Sequence, residues 1–514
     1  MRGHLLTLGA MSVLGAVLGG LAASNETQTA SVPRYSLFEV AITDAREYTN
    51  PFADVTLRAT LSAPSGRATA VEGFYDGHDA WRLRFMPDEV GRWRYEARFS
   101  DGSPGRSGGF TCTRGSLHGP LRVCRANPLW FEHADGSPFL LRACHLWSID
   151  ALDETTLEKT LDFLTAQGFN AVVGPHLVSP RLPWPGNGEG KPDFSKLNLE
   201  TWQNLDRVLR MMGQRGMVLI PFSVFGGTNG MPRIPTWKDQ DLFLRYWVAR
   251  WGGFWNATFQ PTSEWEEGYS EEEIQRIGGR LDELDGGRHL VSVHALRAGS
   301  EQVQRASWYG YHTVQDKLTD WNAMEYTWLV DLHRQGPKPI LAHECLWEGN
   351  FYQERAGIEV DNLRRAAWVI ALCGGQINYA DEIVEPGRWM RREDWGLGRT
   401  FAERGGAVAP LGQFYRHLKI VGDFTQALPF WRMTPQPELS STGVCLAEAG
   451  RVYAAYAPEG GEVELDLTGA KGRLRGRWFD PRGGERGQGF AVAGGERQSF
   501  QAPDGNDWVL LVRR

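Results

Sequence analysis

Cysteine is scarce in this chain, with six in 514 residues at positions 112, 124, 144, 345, 373 and 445. Their scatter offers no spacing that would hold a structural zinc, and it demands no disulfide framework. Cys112 with Cys124 is the one pair worth testing for a bridge. A basic excess is also missing: 55 Lys and Arg stand against 62 Asp and Glu, for a net charge of −7. No Lys/Arg cluster interleaves with aromatics, so nucleic acid is not an expected partner and a neutral or nearly neutral ligand is. Long apolar runs are absent after the first two dozen residues. There, Arg2, an apolar stretch from Leu5 through Leu21 and the small residues Ala22, Ala23 and Ser24 read as a secretory signal peptide over residues 1–24. The stretch lacks a basic stop-transfer flank and no cysteine follows it, which argues against an anchor or a lipoprotein. The mature protein is therefore expected to be secreted or periplasmic and off the membrane.

Tryptophan, in contrast, is abundant, 21 residues against 14 tyrosines. Most indoles fill cores, but flat indole faces also stack on the C–H faces of sugar rings. The length calls for two or three domains. Residues 33–125 show short alternating runs such as Trp93-Arg-Tyr-Glu-Ala-Arg-Phe99 between turn residues, the pattern of a β-sandwich. Residues 428–514 return to that pattern with Gly450-Arg-Val-Tyr-Ala-Ala-Tyr and Asp507-Trp-Val-Leu-Leu-Val, and predict a second sandwich.

Between them, residues 126–427 alternate buried strands with amphipathic helices, the organisation of a TIM (β/α)8 barrel. The whole reads as multidomain α/β plus all-β. Eight strand candidates are Pro138 to Trp147, Phe169 to Gly174, Met217 to Phe225, Asn256 to Glu264, His289 to His294, Ala306 to His312, Lys338 to Glu344 and Gly374 to Asp381. Helices between them carry proper signals, such as Asp153 as an N-cap and Gly168 at the end of the following helix.

Two of these segments, Asn256-Ala-Thr-Phe-Gln-Pro-Thr-Ser-Glu264 and Lys338-Pro-Ile-Leu-Ala-His-Glu344, run out of apolar residues at a glutamate. Strand-end residues of such a barrel converge at one mouth. Cleavage of a glycosidic bond needs two carboxyls there, one to protonate the leaving oxygen and one to attack or to activate water. Glu344 is the expected nucleophile and Glu264 the expected acid/base, with Glu266 and Glu348 as near competitors because strand ends are the least certain boundaries. Other strand-end groups form a polar, aromatic bowl suited to sugar hydroxyls: His145, Trp147, His176, Trp265, His294, Tyr311, His312, His343, Trp347, Tyr379 and Asp381. A metal-dependent barrel hydrolase would want His-x-His on the first strand, and Cys144-His145-Leu146 lacks it.

With these residues in view, the chain resembles the apiosidase-like barrel glycoside hydrolases, a branch of the retaining (β/α)8 glycosidases. The landmarks are Asp135-Gly-Ser-Pro-Phe-Leu-Leu, Asn256 through Glu264, Pro339 through Glu344, and Leu363-Arg-Arg-Ala-Ala-Trp-Val-Ile-Ala-Leu-Cys-Gly-Gly with Tyr379. The first sandwich resembles a domain found ahead of such barrels. The last, with Trp478-Phe-Asp-Pro-Arg-Gly-Gly, is similar to a module once labelled collagen-binding. The resemblance places the acid/base on Glu264 and the nucleophile on Glu344. Where that family has an aspartate after two glycines this chain has Thr262-Ser263-Glu264, and where it has a first-strand aspartate this chain has Cys144, so the sugar specificity of apiosidases does not carry over.

The expectation is a secreted glycoside hydrolase that retains anomeric configuration, acts on a polysaccharide or oligosaccharide, and needs no metal or organic cofactor. A non-catalytic glycan-binding or adhesion protein on the same barrel is the alternative. A polysaccharide lyase using Tyr311 or His312 as base is a third reading.

Overall fold

The computed structural model describes residues 30–315, 323–348, 360–381, 383–385, 388–389 and 413–514. The expected signal peptide lies outside the described residues.

Strict alternation along Gly91–Phe99 sends Trp93, Tyr95, Ala97 and Phe99 inward and Arg92, Arg94, Glu96 and Arg98 outward. That strand sits at the middle of a five-stranded sheet in the order Ala30–Pro33, Arg106–Thr113, Gly91–Phe99, Leu57–Ser62, Ala68–Glu72. A three-stranded antiparallel sheet of Phe38–Thr43, Ala80–Phe85 and Phe74–Gly77 shares its core through Phe38, Trp81 and Leu83. At the other end of the chain, Val452–Ala457, Trp508–Arg513 and Arg473–Phe479 are neighbours in a six-stranded sheet over a core of Ala455, Leu474, Trp478 and Leu510.

The middle of the chain forms a curled parallel sheet. Its six strands run in the order Val218–Ile220, Ala171–Val173, Arg142–His145, Gly375–Asp381, Ile340–Glu348, His312–Gln315. Isolated parallel bridges Leu219 to Ala257, Phe259 to Val291 and Val291 to Tyr309 continue from one edge towards the other. Two expected strands, at 256–264 and 289–294, are thus extended segments held by bridges rather than full ladders. The reason is chemical: side chains supply part of the bonding. Asn256 Nδ2 donates to the carbonyls of Leu209 and Met217 at 3.0 Å, Thr258 Oγ1 to Leu219 at 3.0 Å, and Gln260 Nε2 to Pro221 at 2.9 Å.

Helices cover the outside of the sheet. Glu154–Ala166 starts where the Asp153 carboxylate accepts from the Thr156 amide at 2.9 Å, and it stops before Gly168, whose φ of 84° a side chain would resist. Glu271–Asp285 starts with a capping box of Ser270 and Glu273. Alternate strand residues divide two cores. Ala143, Val173, Ile220 and Leu341 face inward with Phe222, while Cys144, Val172 and Leu219 face the helices. Among the described residues no helix is long and apolar enough to cross a membrane.

Cys112 and Cys124, the one pair worth testing, are not bridged, and all six cysteines are buried outside any disulfide. Cys112 belongs to the core of the first module and Cys124 to that of the parallel sheet, so their thiols face different interiors.

Candidate active site

The strand Ile340–Glu348 loses register with Gly375–Asp381 between Ala342 and Leu346, around His343, Glu344 and Cys345. Such an irregularity re-aims a side chain at a functional edge. Glu344 there is 4 % exposed. Glu264 arrives by another route. Its backbone is left-handed, with φ 43° and ψ 54°, a costly conformation for a residue with a Cβ, and it opens the short turn Trp265–Glu267.

Two neutral amides hold the Glu264 carboxyl. Asn229 Nδ2 donates to Oε2 at 2.6 Å and Gln315 Nε2 to Oε1 at 2.8 Å. Asn229 also donates to Ser263 Oγ at 2.9 Å, and its carbonyl accepts from His176 Nε2 at 2.9 Å. Gln315 pairs through its backbone with Glu344 in the ladder between His312–Gln315 and Ile340–Glu348. One residue therefore touches both segments that carry the expected carboxylates, 80 residues apart in sequence.

Beneath them lies a buried aromatic floor. His145 stacks on Trp147 at 4.9 Å and on Trp347 at 5.6 Å. His343 stacks on His294 at 4.1 Å and on Phe222 at 5.7 Å. His145 Nε2 donates to the His343 carbonyl at 3.1 Å, and the Gln260 amide nitrogen lies 3.2 Å from His343 Nε2. Burial makes protonation expensive for His145, His176 and His343. It lowers His145 to about 3 and His176 to about 4, and it takes His343 well below the ordinary histidine value. These three imidazoles are uncharged at neutral pH.

His145, His343 and Glu344 each offer a donor atom within 4.8 Å of the other two, and among the described residues this is the trio able to share a metal ion. Glu266, the competitor of Glu264, accepts from the Leu296 amide at 3.0 Å. Burial raises its pKa, and the negative charge of Glu264 adds to the rise. The side chains of Glu348 and Asp381 lie outside the described residues.

The bowl thus gathers His145, Trp147, His176, His294, His343 and Trp347. Four expected members sit elsewhere. Tyr379 faces outward and packs on Phe414 and Tyr415, while its neighbour Asn378 points inward and donates to the His343 carbonyl. Successive strand residues take opposite faces, so an error of one residue exchanges sheet interior for helix layer. Tyr311 lies below the mouth, packed on Phe131, its hydroxyl 3.4 Å from Gln260 Oε1. His312 donates to the Gly336 carbonyl at 2.8 Å at the start of its strand, which ends three residues later at Gln315. Trp265 is buried in the outer core. Asn229 and Gln315 are the groups that sequence reasoning missed. Placing the end of that strand at Gln315 instead of His312 would have found one of them; nothing in the Gly226-Gly-Thr-Asn229-Gly loop pointed to the other.

Comparisons with known proteins bear on the family and the fold. Residues 126–379 match the model of the family described as "Apiosidase-like, catalytic domain". Ahead of that segment, residues 31–100 match a domain of unknown function, DUF5060, and behind it residues 439–513 match the model described as "Putative collagen-binding domain of a collagenase". No curated protein matches the chain. A crystal structure from Bacteroides vulgatus ATCC 8482, described as "a putative glycoside hydrolase", superposes with a TM-score of 0.79 at 22% identity, over 94% of this chain and 100% of that one. A second, described as "Glycoside hydrolase", gives 0.62 at 16% identity over 77% and 97%. A glycoside hydrolase family 5 structure from the same Bacteroides strain gives 0.61 at 14% identity over 77% and 94%. These likenesses show the fold of the chain.

Proposed function

We propose that this protein is a glycoside hydrolase acting on a polysaccharide or oligosaccharide by double displacement, with Glu344 as nucleophile and Glu264 as acid/base. The observation that carries the reading is Gln315, bonded to the Glu264 carboxyl and paired in the sheet with Glu344. On this reading the parallel bridges at 257, 259, 291 and 309 complete a closed (β/α)8 barrel. Residues 33–125, 126–427 and 428–514 are its three domains, the outer two β-sandwiches. The apolar stretch from Leu5 through Leu21 exports the protein to the periplasm or beyond.

The chemistry follows from what surrounds each carboxyl. In the first step the Glu344 carboxylate attacks the anomeric carbon while Glu264 gives its proton to the departing glycosidic oxygen, leaving a glycosyl ester on Glu344. In the second, Glu264 takes a proton from water, whose oxygen attacks the same carbon and frees Glu344. Asn229 and Gln315 hold the Glu264 carboxyl with uncharged donors, so it is positioned without a fixed cation beside it. The Gln315 side-chain oxygen is buried and has no hydrogen-bond partner among the described residues. Trp147 and Trp347, stacked about His145, form the apolar side of the bowl.

The test is release of new reducing ends from a broad panel of polysaccharides and oligosaccharides, run beside Glu344→Gln. Release that disappears in the variant supports the hydrolase. Glycan binding without release on any substrate supports the non-catalytic binding protein instead. Proton NMR of the first-formed anomer reads retention directly.

The trio of His145, His343 and Glu344 favours one second reading, a metal-assisted hydrolase in which Glu344 is a ligand. Dialysis against a chelator decides between the two: the double-displacement enzyme keeps its activity, the metal enzyme loses it and regains it with the ion.

A further inference from the structure

The C-terminal module carries a basic cleft of about 230 Å3 well away from the carboxylates. Arg475, Arg477, Arg486 and Arg513 line it, all four exposed, with no carboxylate in the lining. Phe424 from the helix Gln413–Gln426, together with Phe479 and Leu511 from the sheet, supplies an apolar side. None of the four guanidinium groups has an ion-pair or hydrogen-bond partner among the described residues. Several other arginines of the module are paired: Arg482 with Asp480, Arg497 with Asp466, and Arg432 and Arg451 with Glu448, whereas Arg473 and Arg514 have no ion pair among the described residues.

The arrangement is costly for the free protein. Arg475 stands directly opposite Arg513 in the antiparallel ladder between Arg473–Phe479 and Trp508–Arg513, and like charges directly opposed destabilise a sheet. Arg475 and Arg477 project from the same face about 7 Å apart, two residues along one strand. Gly476 between them leaves room for the Phe490 ring on the inner face, where a Cβ would come within 2.2 Å of it. All this positive charge sits on a chain of net charge −7, so the local sign runs against the whole.

We propose that this cleft binds an acidic polysaccharide, its arginines pairing with the oxyanions of successive charged sugars while ring C–H faces lie on the apolar side. The choice of a polysaccharide among anionic polymers rests on the glycosidase reading of the central domain. The module then holds an acidic chain for the barrel, or anchors the enzyme to it. The shared chemistry is a closely spaced row of oxyanions, from carboxylates or from sulfates.

Affinity electrophoresis of the full chain carrying Glu344→Gln tests this without any need for turnover. Gels contain polygalacturonate, dextran sulfate, neutral dextran or duplex DNA. Retardation by polygalacturonate alone assigns uronates, by dextran sulfate alone sulfated sugars, and either supports the site provided neutral dextran does nothing. Arg475→Glu with Arg513→Glu should weaken that retardation at least about tenfold, as expected for losing two charge-assisted contacts. Arg475→Lys with Arg513→Lys, which keeps the charge and the fold, should retain part of it. No retardation by either polyanion, equal retardation of the charge-reversed protein, or tighter binding to DNA than to either polysaccharide overturns the proposal. Reducing-end release by the protein with Glu344 intact reports on the glycosidase reading separately, so failure of one is distinguishable from failure of the other.

Discussion

The two glutamates at the mouth are held in opposite ways. Glu344 is part of a sheet strand, buried, and re-aimed by a break in register towards Gly375–Asp381; its place is set by backbone pairing with Gln315 on the other side. Glu264 lies off the sheet in a left-handed turn, half-buried, and its place is set by the side chains of Asn229 and Gln315. A group locked by the ladder moves only if the sheet moves. A group hung on two amides can be loosened by a single substitution. That difference suits the proposed roles, since the nucleophile must stay put through both steps while the acid/base must exchange a proton with two different oxygens.

The comparison can be broken most severely at Glu344. Glu344→Gln should lower kcat by at least about 10³-fold with folding intact, measured as initial rates of reducing-end release. Glu264→Gln should cost about 10²- to 10⁴-fold, with the limb of the pH profile that reports the acid flattened. Gln315→Leu sharpens the contrast, because it leaves Glu344 in its ladder and removes one bond from Glu264. A loss of about 10- to 100-fold in kcat is expected, matching a hydrogen bond to a charged group, and an unchanged rate would show that the amide does not position the acid/base.

The buried floor beneath both carboxylates makes a smaller, thermodynamic prediction. His145 at about 3 and His176 at about 4 lie below the unfolded histidine value, so at acid pH the unfolded chain binds protons that the folded one refuses. Stability is therefore independent of these groups above about pH 6.5 and falls as pH drops from there towards 4, by up to about 1.4 kcal/mol per pH unit for each histidine. Urea titrations at pH 7.5 and 5 would read it, and His145→Asn should flatten the slope. Smallest of all, Glu266→Gln should change kcat less than about threefold, since the Glu266 carboxyl serves the Leu296 amide.

Much of the fold was legible in the residues. Alternation along Gly91–Phe99 marked a two-sided strand, and Asp153 with Gly168 bounded a helix where the structure has one. The landmarks around Glu264 and Glu344 lie within the segment that matches the apiosidase-like model. Legibility stopped where a single residue of phase mattered. Tyr379 fell on the wrong face, and His312 stood in for Gln315, because an apolar run marks a strand but not its last residue. The arginine cleft was invisible for a related reason. Arg475, Arg477, Arg486 and Arg513 are scattered among paired arginines, and composition counts all of them alike.

The amino-acid sequence alone determined the burial periods, the caps and turns, and two glutamates at the ends of apolar segments, because these depend on neighbours within one turn or one strand. Tertiary structure alone decided that Gln315 bridges those segments, that Asn229 reaches Glu264, and that four arginines share a cleft with no counter-charge among the described residues. Those contacts join residues far apart in the chain, and their meeting depends on sheet register and packing, which local preference does not encode.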